Sequence, residues 1–210
     1  MRHEKKYRIE DATYSEILHS LITSPAAFKE AFPDRWVNSI YYDDVMFSAF
    51  HENLAGISKR LKHRIRWYGK DIQIANKPKL ELKIKNHELG TKEFVPVPDF
   101  KIEPGFDASA LLYNAYPKGH SLHPVVLVRY LRTYLESYDH KFRATIDREL
   151  QYYLYQGNIF FQHSPTLDPA LILEVKFAKE DREEADYLLQ KIPFRLTKNS
   201  KYVSGVIGNY

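Results

Sequence analysis

The feature that most constrains this chain is an alternation of charged and apolar residues with a period of two, repeated in segments far apart in sequence. They are Glu4-Lys5-Lys6-Tyr7-Arg8, Arg60-Leu61-Lys62-His63-Arg64-Ile65-Arg66, Lys79-Leu80-Glu81-Leu82-Lys83-Ile84-Lys85, Tyr130-Leu131-Arg132, Arg143-Ala144-Thr145-Ile146-Asp147 and Glu174-Val175-Lys176. In a strand, alternate side chains point to opposite faces, so each segment reads as a β-strand with one charged row and one mostly apolar row. If the charged rows face solvent, the chain is a half-buried sheet. If they face one enclosed space, it is a basic-lined β-tunnel for a polyanion. A lone Arg-x-Arg or Glu-x-Lys is usually a solvated face, but an outer face is also rich in Thr, Ser and Gln. Here Arg, Lys and their acidic partners dominate every row, which favours the tunnel.

At 210 residues the chain can bury a substantial core, and a single domain over residues 1–210 is expected. It has no cysteine, which excludes disulfides and thiolate metal sites and fits a reducing compartment. Apolar runs such as Val125 to Val128 are far too short to span a bilayer, and the N-terminus begins with charges rather than an apolar signal core. The chain is therefore expected to be soluble and cytoplasmic. Its formal net charge is only +4, yet Lys59 to Lys70 is rich in Lys and Arg and holds no acid, while Glu180 to Asp186 is mostly acidic. Such asymmetry points to an anionic partner better than the net value does.

Strands are expected at Arg2 to Ile9, Trp36 to Tyr42, Arg60 to Tyr68, Lys79 to Lys85 and Thr91 to Val97, the last made an edge or exit by Pro96 and Pro98. Further strands are expected at Val125 to Leu135, Lys141 to Leu150, Tyr152 to Phe161 and Leu171 to Phe177. Helices are expected from Asp11 to Ile22 with Asp11 as N-cap, between Pro25 and Pro33, at Ala108 to Asn114, and at Asp181 to Lys191. Thr197 to Ile207 forms a short terminal helix or turn. The second half resumes the pattern of the first, so one closed sheet explains both more economically than two small ones. The fold class is α+β, an antiparallel β-tunnel with flanking helices.

None of the eight glycines lies in a G-x-x-x-x-G-K-[ST] or G-x-G-x-x-G pattern, so phosphate must be gripped by side chains rather than by a backbone cradle. Arg64 and Arg66 share a strand face and can present two planar forks to successive phosphates. Lys6, Lys83, Lys92, Arg132, Arg143, Lys176 and Lys201 could complete the lining. The interleaved acids Glu4, Glu81, Asp147 and Glu174 suit a hard cation bridging phosphates, or else neutralise nearby Lys and Arg. His120 and His123 have a zinc-like spacing but lie in a Pro/Gly-rich stretch, where they read as loop residues. The many Tyr and Phe residues could stack nucleobases, although core packing is their commoner use.

The ordered series Glu4-Lys5-Lys6-Tyr7, Ser39-Ile40-Tyr41-Tyr42-Asp43, Arg64-Ile65-Arg66-Trp67-Tyr68-Gly69, Glu81-Leu82-Lys83, Tyr130-Leu131-Arg132, Arg143-Ala144-Thr145-Ile146-Asp147-Arg148, Leu173-Glu174-Val175-Lys176 and Ser200-Lys201-Tyr202 resembles the VTC domain. That is the polyphosphate polymerase domain of vacuolar transporter chaperone complexes, one of the triphosphate tunnel metalloenzymes related to CYTH domains. The resemblance implies an eight-stranded closed tunnel that holds the triphosphate of ATP and transfers its terminal phosphoryl group to phosphate or a growing polyphosphate chain. It implies phosphate-binding roles for Lys6, Arg64, Arg66, Lys83, Arg132 and Lys201, with Tyr130 and Ser200 as hydrogen-bonding partners and Lys92 as a looser match. Glu174 would hold a divalent ion, Mn²⁺ or Mg²⁺, with Glu4, Glu81 and Asp147 as further candidates.

Eukaryotic polymerases of this type add an inositol-polyphosphate-sensing domain and transmembrane helices, neither of which fits in 210 residues. The expectation is a stand-alone prokaryotic member whose product is released or handed to a separate membrane partner. The expected ligands are ATP, polyphosphate and tripolyphosphate rather than nucleic acid. Relatives of this type also hydrolyse tripolyphosphate or cyclise ATP, so a metal-dependent triphosphatase and a non-catalytic polyanion-binding module remain open at this point.

Overall fold

The computed structural model describes residues 2–86, 89–156 and 159–209, with side chains described at all of these except 2, 85, 86, 89 and 90. The elements in chain order are β1 (Arg2–Ile9), α1 (Tyr14–Ile22), β2 (Lys29–Asp43), α2 (Ser48–Leu54), β3 (Lys59–Tyr68), β4 (Ile74–Ala75), β5 (Lys79–Asn86), β6 (Leu89–Pro96), β7 (Phe100–Lys101) and α3 (Ala108–Ala115). They continue with β8 (His123–Glu136), β9 (Phe142–Leu154), β10 (Thr166–Asp168), β11 (Leu171–Ala178), α4 (Arg182–Lys191) and α5 (Lys201–Ile207).

The fold is α+β. Its main sheet has nine strands with the hydrogen-bonded order β1-β11-β9-β8-β2-β3-β5-β6 and β10 added on β9, while β4 and β7 form a separate two-stranded ribbon. Hydrogen bonds among the described residues do not close the sheet into the expected barrel. The order ends on β1 and β6, and no ladder among the described residues joins those two strands. β6 pairs with β5 as far as Pro96, which lacks the N–H that a second ladder would need there.

Several local expectations also change. α1 is capped by Thr13, not Asp11: the Thr13 hydroxyl accepts from the Glu16 N–H at 3.3 Å and the Glu16 carboxylate accepts from the Thr13 N–H at 2.7 Å, a capping box. The stretch expected to be helical before Pro33 belongs instead to β2. The β3 ladder reaches only from Val37 to Tyr42 of β2, so Pro33 lies beyond it and costs it no hydrogen bond. The strand expected over Tyr152 to Phe161 reaches Leu154 as the end of β9; residues 157 and 158 lie outside the described residues, and among the described ones an isolated bridge pairs Gln156 with Ile159.

The chain divides into two compact units, one of residues 1–35, 131–150 and 168–199, the other of residues 36–130, 151–167 and 200–210. In the first unit Tyr7 and Ile9 of β1, Ala144 and Ile146 of β9, and Leu173, Val175 and Phe177 of β11 form a core with Ile17 and Leu21 of α1 and Ala185 and Leu188 of α4. In the second, Ile65 and Trp67 of β3 and Leu80 and Leu82 of β5 pack with Ala108 and Leu112 of α3. By the period of two, the intervening charged residues lie on the opposite face of each strand. That face is not simply solvated: Arg66 is 7%, Glu81 6%, Glu174 6% and Asp147 0% exposed. Long charged side chains are almost never this buried unless they are paired.

Candidate functional site

In the second unit the register of β3, β5 and β6 sets like charges side by side. Lys62 of β3 stands directly opposite Lys83 of β5, and Lys83 directly opposite Lys92 of β6. Directly opposed like charges destabilise a sheet, so this lysine row is a cost that an anion would remove. The adjacent row runs Tyr41, Arg64, Glu81 and Phe94, and the next pairs Ser39 with Arg66.

Glu81 is the carboxylate at the centre of these rows. Arg64 donates to its Oε2 through Nε at 2.8 Å and again through Nη2, and Arg66 Nη1 lies 3.7 Å from its Oε1. The remaining Arg64 fork donates to the Tyr41 hydroxyl at 3.0 Å. Arg66 donates to Ser39 Oγ and to the Tyr130 hydroxyl, each at 3.1 Å. Both guanidiniums are thereby fixed in position. Burial alone would raise the Glu81 carboxyl, but Arg64, Arg66 and Lys92 hold it down at about 2. Lys92 shows the opposite balance. Desolvation of its ammonium, then the positive charge of Arg64, with Arg66 and Lys83 adding to it against Glu81, lowers it to about 7 even though the residue as a whole is exposed.

The C-terminal segment adds to the same unit. Ser200 caps α5, its hydroxyl accepting from the Val203 N–H at 3.4 Å and from Lys62 Nζ at 2.9 Å. Lys201 follows, 9% exposed, with its ammonium 4.6 Å from the centre of the Tyr130 ring. The same Tyr130 hydroxyl accepts from Arg66, so Lys201 and Arg66 are placed at one aromatic residue.

The first unit arranges its charges differently. The Lys6 ammonium lies 2.8 Å from Glu4 Oε1 and 3.0 Å from Glu174 Oε1, while Glu174 Oε2 accepts from Lys176 at 2.9 Å. Burial would lower the Lys6 ammonium, but Glu174 and Glu4 raise it above the usual lysine value. Arg132 grips Asp147 with two parallel hydrogen bonds, Nε to Oδ1 at 2.5 Å and Nη2 to Oδ2 at 2.7 Å. Arg143 stands opposite Lys176 in the β9–β11 ladder, but its side chain is 57% exposed and pairs with Glu136 at 3.2 Å.

A family model of the VTC domain matches residues 1–208. The chain belongs to the VTC domain family. None of the curated proteins matches it by sequence. Solved structures resemble this VTC domain at the level of fold. A Hippeastrum protein, named for adenylyl cyclase and described as having a dominant triphosphatase activity, aligns over 100% of this chain and 97% of its own at 15% identity, with a TM-score of 0.57. A Pyrococcus horikoshii protein aligns over 100% of both chains at 13% identity and a TM-score of 0.54. A Vibrio parahaemolyticus protein carrying an adenylate cyclase name covers 95% of this chain and 94% of its own at 13% identity, with a TM-score of 0.54. Among the described residues, no helix is long and apolar enough to cross a membrane.

The VTC domain thus gathers Arg64, Arg66, Glu81, Lys83, Lys92, Tyr130, Ser200 and Lys201 in one unit, and Glu4, Lys6, Arg132, Asp147, Glu174 and Lys176 in the other. Sequence reasoning missed Lys62 as a site residue. Its signal was present in the Arg60 to Arg66 alternation, but its importance depends on a register that puts it opposite Lys83 and within reach of Ser200, and neither is visible in a single strand. Tyr41 was missed as well, because a tyrosine in a β-rich stretch reads as packing until the Arg64 hydrogen bond is seen.

Proposed function

We propose that this VTC domain is an ATP-dependent polyphosphate polymerase. The observation that carries the reading is the Lys62-Lys83-Lys92 row beside Arg64 and Arg66, which concentrates positive charge on one sheet face around the Glu81 carboxylate. A triphosphate suits such a row, since it carries several negative charges on a short chain that cations from neighbouring strands, about 4.8 Å apart, can reach together. Arg64 and Arg66 would hold phosphate oxygens with charge-assisted hydrogen bonds, the lysines and Lys201 would neutralise charge, and Tyr130 and Ser200 would keep these cations oriented. In the transfer, the bond from the terminal phosphorus to the bridging oxygen of ADP breaks and a new bond to an oxygen of the acceptor phosphate forms. Positioning and charge neutralisation supply most of the catalysis in such a reaction.

A divalent ion, Mn²⁺ or Mg²⁺, is part of the reading. Among the described residues no group of three or more His, Asp or Glu side chains is placed to hold a metal ion. Such an ion would therefore have to be held by one or two carboxylates, the mode in which Mg²⁺ is usually bound. Glu174 and Glu4 suit it, because their oxygens already converge on one cation, the Lys6 ammonium. When bound, the ion would neutralise phosphate charge. Asp147 and Glu81 are committed to Arg132 and Arg64 and read as positioning groups.

A metal-dependent triphosphatase is the second reading, favoured by the activity described for the Hippeastrum protein; water then replaces the acceptor phosphate. Purified protein with ATP and Mn²⁺, with products resolved on gels and by phosphorus NMR, separates the two. Long chains with ADP are expected for the polymerase, whereas ADP and orthophosphate without chains, or orthophosphate alone from tripolyphosphate, would replace it with the hydrolase.

A further inference from the structure

Asp43 closes β2 with a carboxylate that is only 2% exposed and fully occupied. Its Oδ1 accepts from the backbone N–H of Asp44 at 2.9 Å and of Ala49 at 3.0 Å; its Oδ2 accepts from the N–H of Phe50 at 3.0 Å and from the Tyr202 hydroxyl at 2.5 Å. Two of the backbone donors, Ala49 and Phe50, lie at the start of α2, whose own N-cap residue, Phe47, is left-handed and offers no side-chain cap, while Asp44 Oδ1 accepts from the Ser48 N–H at 3.0 Å. Asp43 therefore does the capping from outside the helix, and in doing so holds a rigid acceptor aimed at Tyr202.

Tyr202 is itself 2% exposed, stacked on Tyr41 at 5.5 Å between ring centres and edge-on to Phe50 at 6.5 Å. It sits between Lys201 and the body of α5. One turn later a Cβ at Gly205 would lie 2.8 Å from Tyr152 Cδ1 and 3.1 Å from Val126 Cγ2, so α5 is seated at a distance only glycine permits. The helix is pinned at two points, and the residue immediately before the first pin is Lys201.

We propose that Asp43 and Tyr202 are a positioning pair: their buried hydrogen bond fixes α5 so that the Lys201 ammonium is held ready for phosphate. The proposal rests on the reading of Lys201 as a phosphate-binding group. Neither Asp43 nor Tyr202 touches the phosphate; both act through the backbone that they share with, or hydrogen-bond toward, Lys201. A role limited to stability would leave binding by the folded protein unchanged.

The test is a double-mutant cycle on tripolyphosphate affinity, measured by calorimetry at a temperature where every variant is folded. Tyr202→Phe keeps the ring and its stacking and removes the hydroxyl. It is expected to weaken binding about tenfold, the scale of a hydrogen bond to a charged group. In a Lys201→Ala background the same change is expected to cost less than about twofold, because the group it positions has gone. An equal loss in both backgrounds, or no loss from Tyr202→Phe where Lys201→Ala weakens binding, overturns the positioning role and leaves the phosphate site standing. If Lys201→Ala leaves affinity unchanged, the assignment of Lys201 falls and the positioning role falls with it. Should Tyr202→Phe not fold, Gly205→Ala displaces the same helix with the Asp43 bond chemically intact, and the same Lys201-dependent loss is expected.

Discussion

The two units use the same tripeptide pattern to opposite effect. Glu174-Val175-Lys176 in the first neutralises itself: the carboxylate accepts from its own Lys176 and takes Lys6 from the neighbouring strand. Glu81-Leu82-Lys83 in the second does not, because the Glu81 carboxylate is taken by Arg64 and approached by Arg66, while Lys83 is aligned with Lys62 and Lys92. The motif is shared, and the neighbouring strand decides its role. On the charged face β1 offers Glu4 beside Lys6 and Arg8, whereas β3 offers Arg60, Lys62, Arg64 and Arg66 with no acid among them. The first arrangement joins acids and bases in pairs, and the second sets like charges side by side on neighbouring strands, a repulsion that a bound polyanion would relieve.

The largest effect expected from this contrast is on the matched side. Arg132→Ala removes the paired donor of the Asp147 carboxylate, which is 0% exposed, and breaking a buried pair in this way costs about 3–5 kcal/mol of folding stability. Denaturant unfolding of the variant checks it, and a change within about 0.5 kcal/mol would show that Asp147 is neutralised in another way. On the cation-rich side the expectation is a loss of binding. Arg66→Ala removes two neutral hydrogen bonds and the approach to Glu81, and with them the second of the two guanidiniums proposed to bind phosphate, so tripolyphosphate affinity should fall by about 3 kcal/mol, roughly a hundredfold, as read by calorimetry. An affinity within twofold of wild type would break the comparison.

Glu174→Gln sharpens it from the acidic side. The substitution keeps the shape of the side chain and removes the charge that a hard divalent ion requires. Turnover should collapse and the Mn²⁺ activation curve should flatten, while tripolyphosphate binding without metal persists or tightens. A wild-type activation curve would leave Glu174 as no more than the counter-charge of Lys6 and Lys176.

The smallest effect is a proton. Lys92 is lowered from 10.5 to about 7 in the folded protein, so between those values the unfolded chain holds a proton that the folded chain has released. The contribution of this group to stability therefore increases as pH rises from about 7 toward 10.5, and below about 7 its charge is a standing penalty. A polyanion favours the charged form, so tripolyphosphate binding at pH 8 should take up a fraction of a proton, seen as a dependence of the calorimetric enthalpy on buffer ionisation. Lys92→Gln should abolish that uptake.

The strands were legible because alternation is a local signal: β3, β5 and β11 each show it within ten residues. α2 was not, since its cap is Asp43 rather than the residue before it, and the left-handed Phe47 resembles no helix start. The beginning of β2 was obscured by Pro33, which a strand tolerates only where no partner needs its N–H. For the site, the types and order of the charged residues were readable, but their division into acid–base pairs and rows of like charge was not. That division depends on register, and Arg143 shows the consequence: it has the same alternation as Arg66 yet pairs at the surface with Glu136.

Lys83→Ala tests the central claim most directly. It removes the middle charge of the Lys62-Lys83-Lys92 row without touching the Glu81 pairs. Thermal melting of wild type and variant, each with and without tripolyphosphate, compares repulsion with binding in a single experiment. The account predicts that the unliganded variant melts at the same temperature as wild type or higher, and that the stabilisation by tripolyphosphate is much smaller in the variant. A variant that melts lower on its own and is stabilised by tripolyphosphate as much as wild type would contradict it.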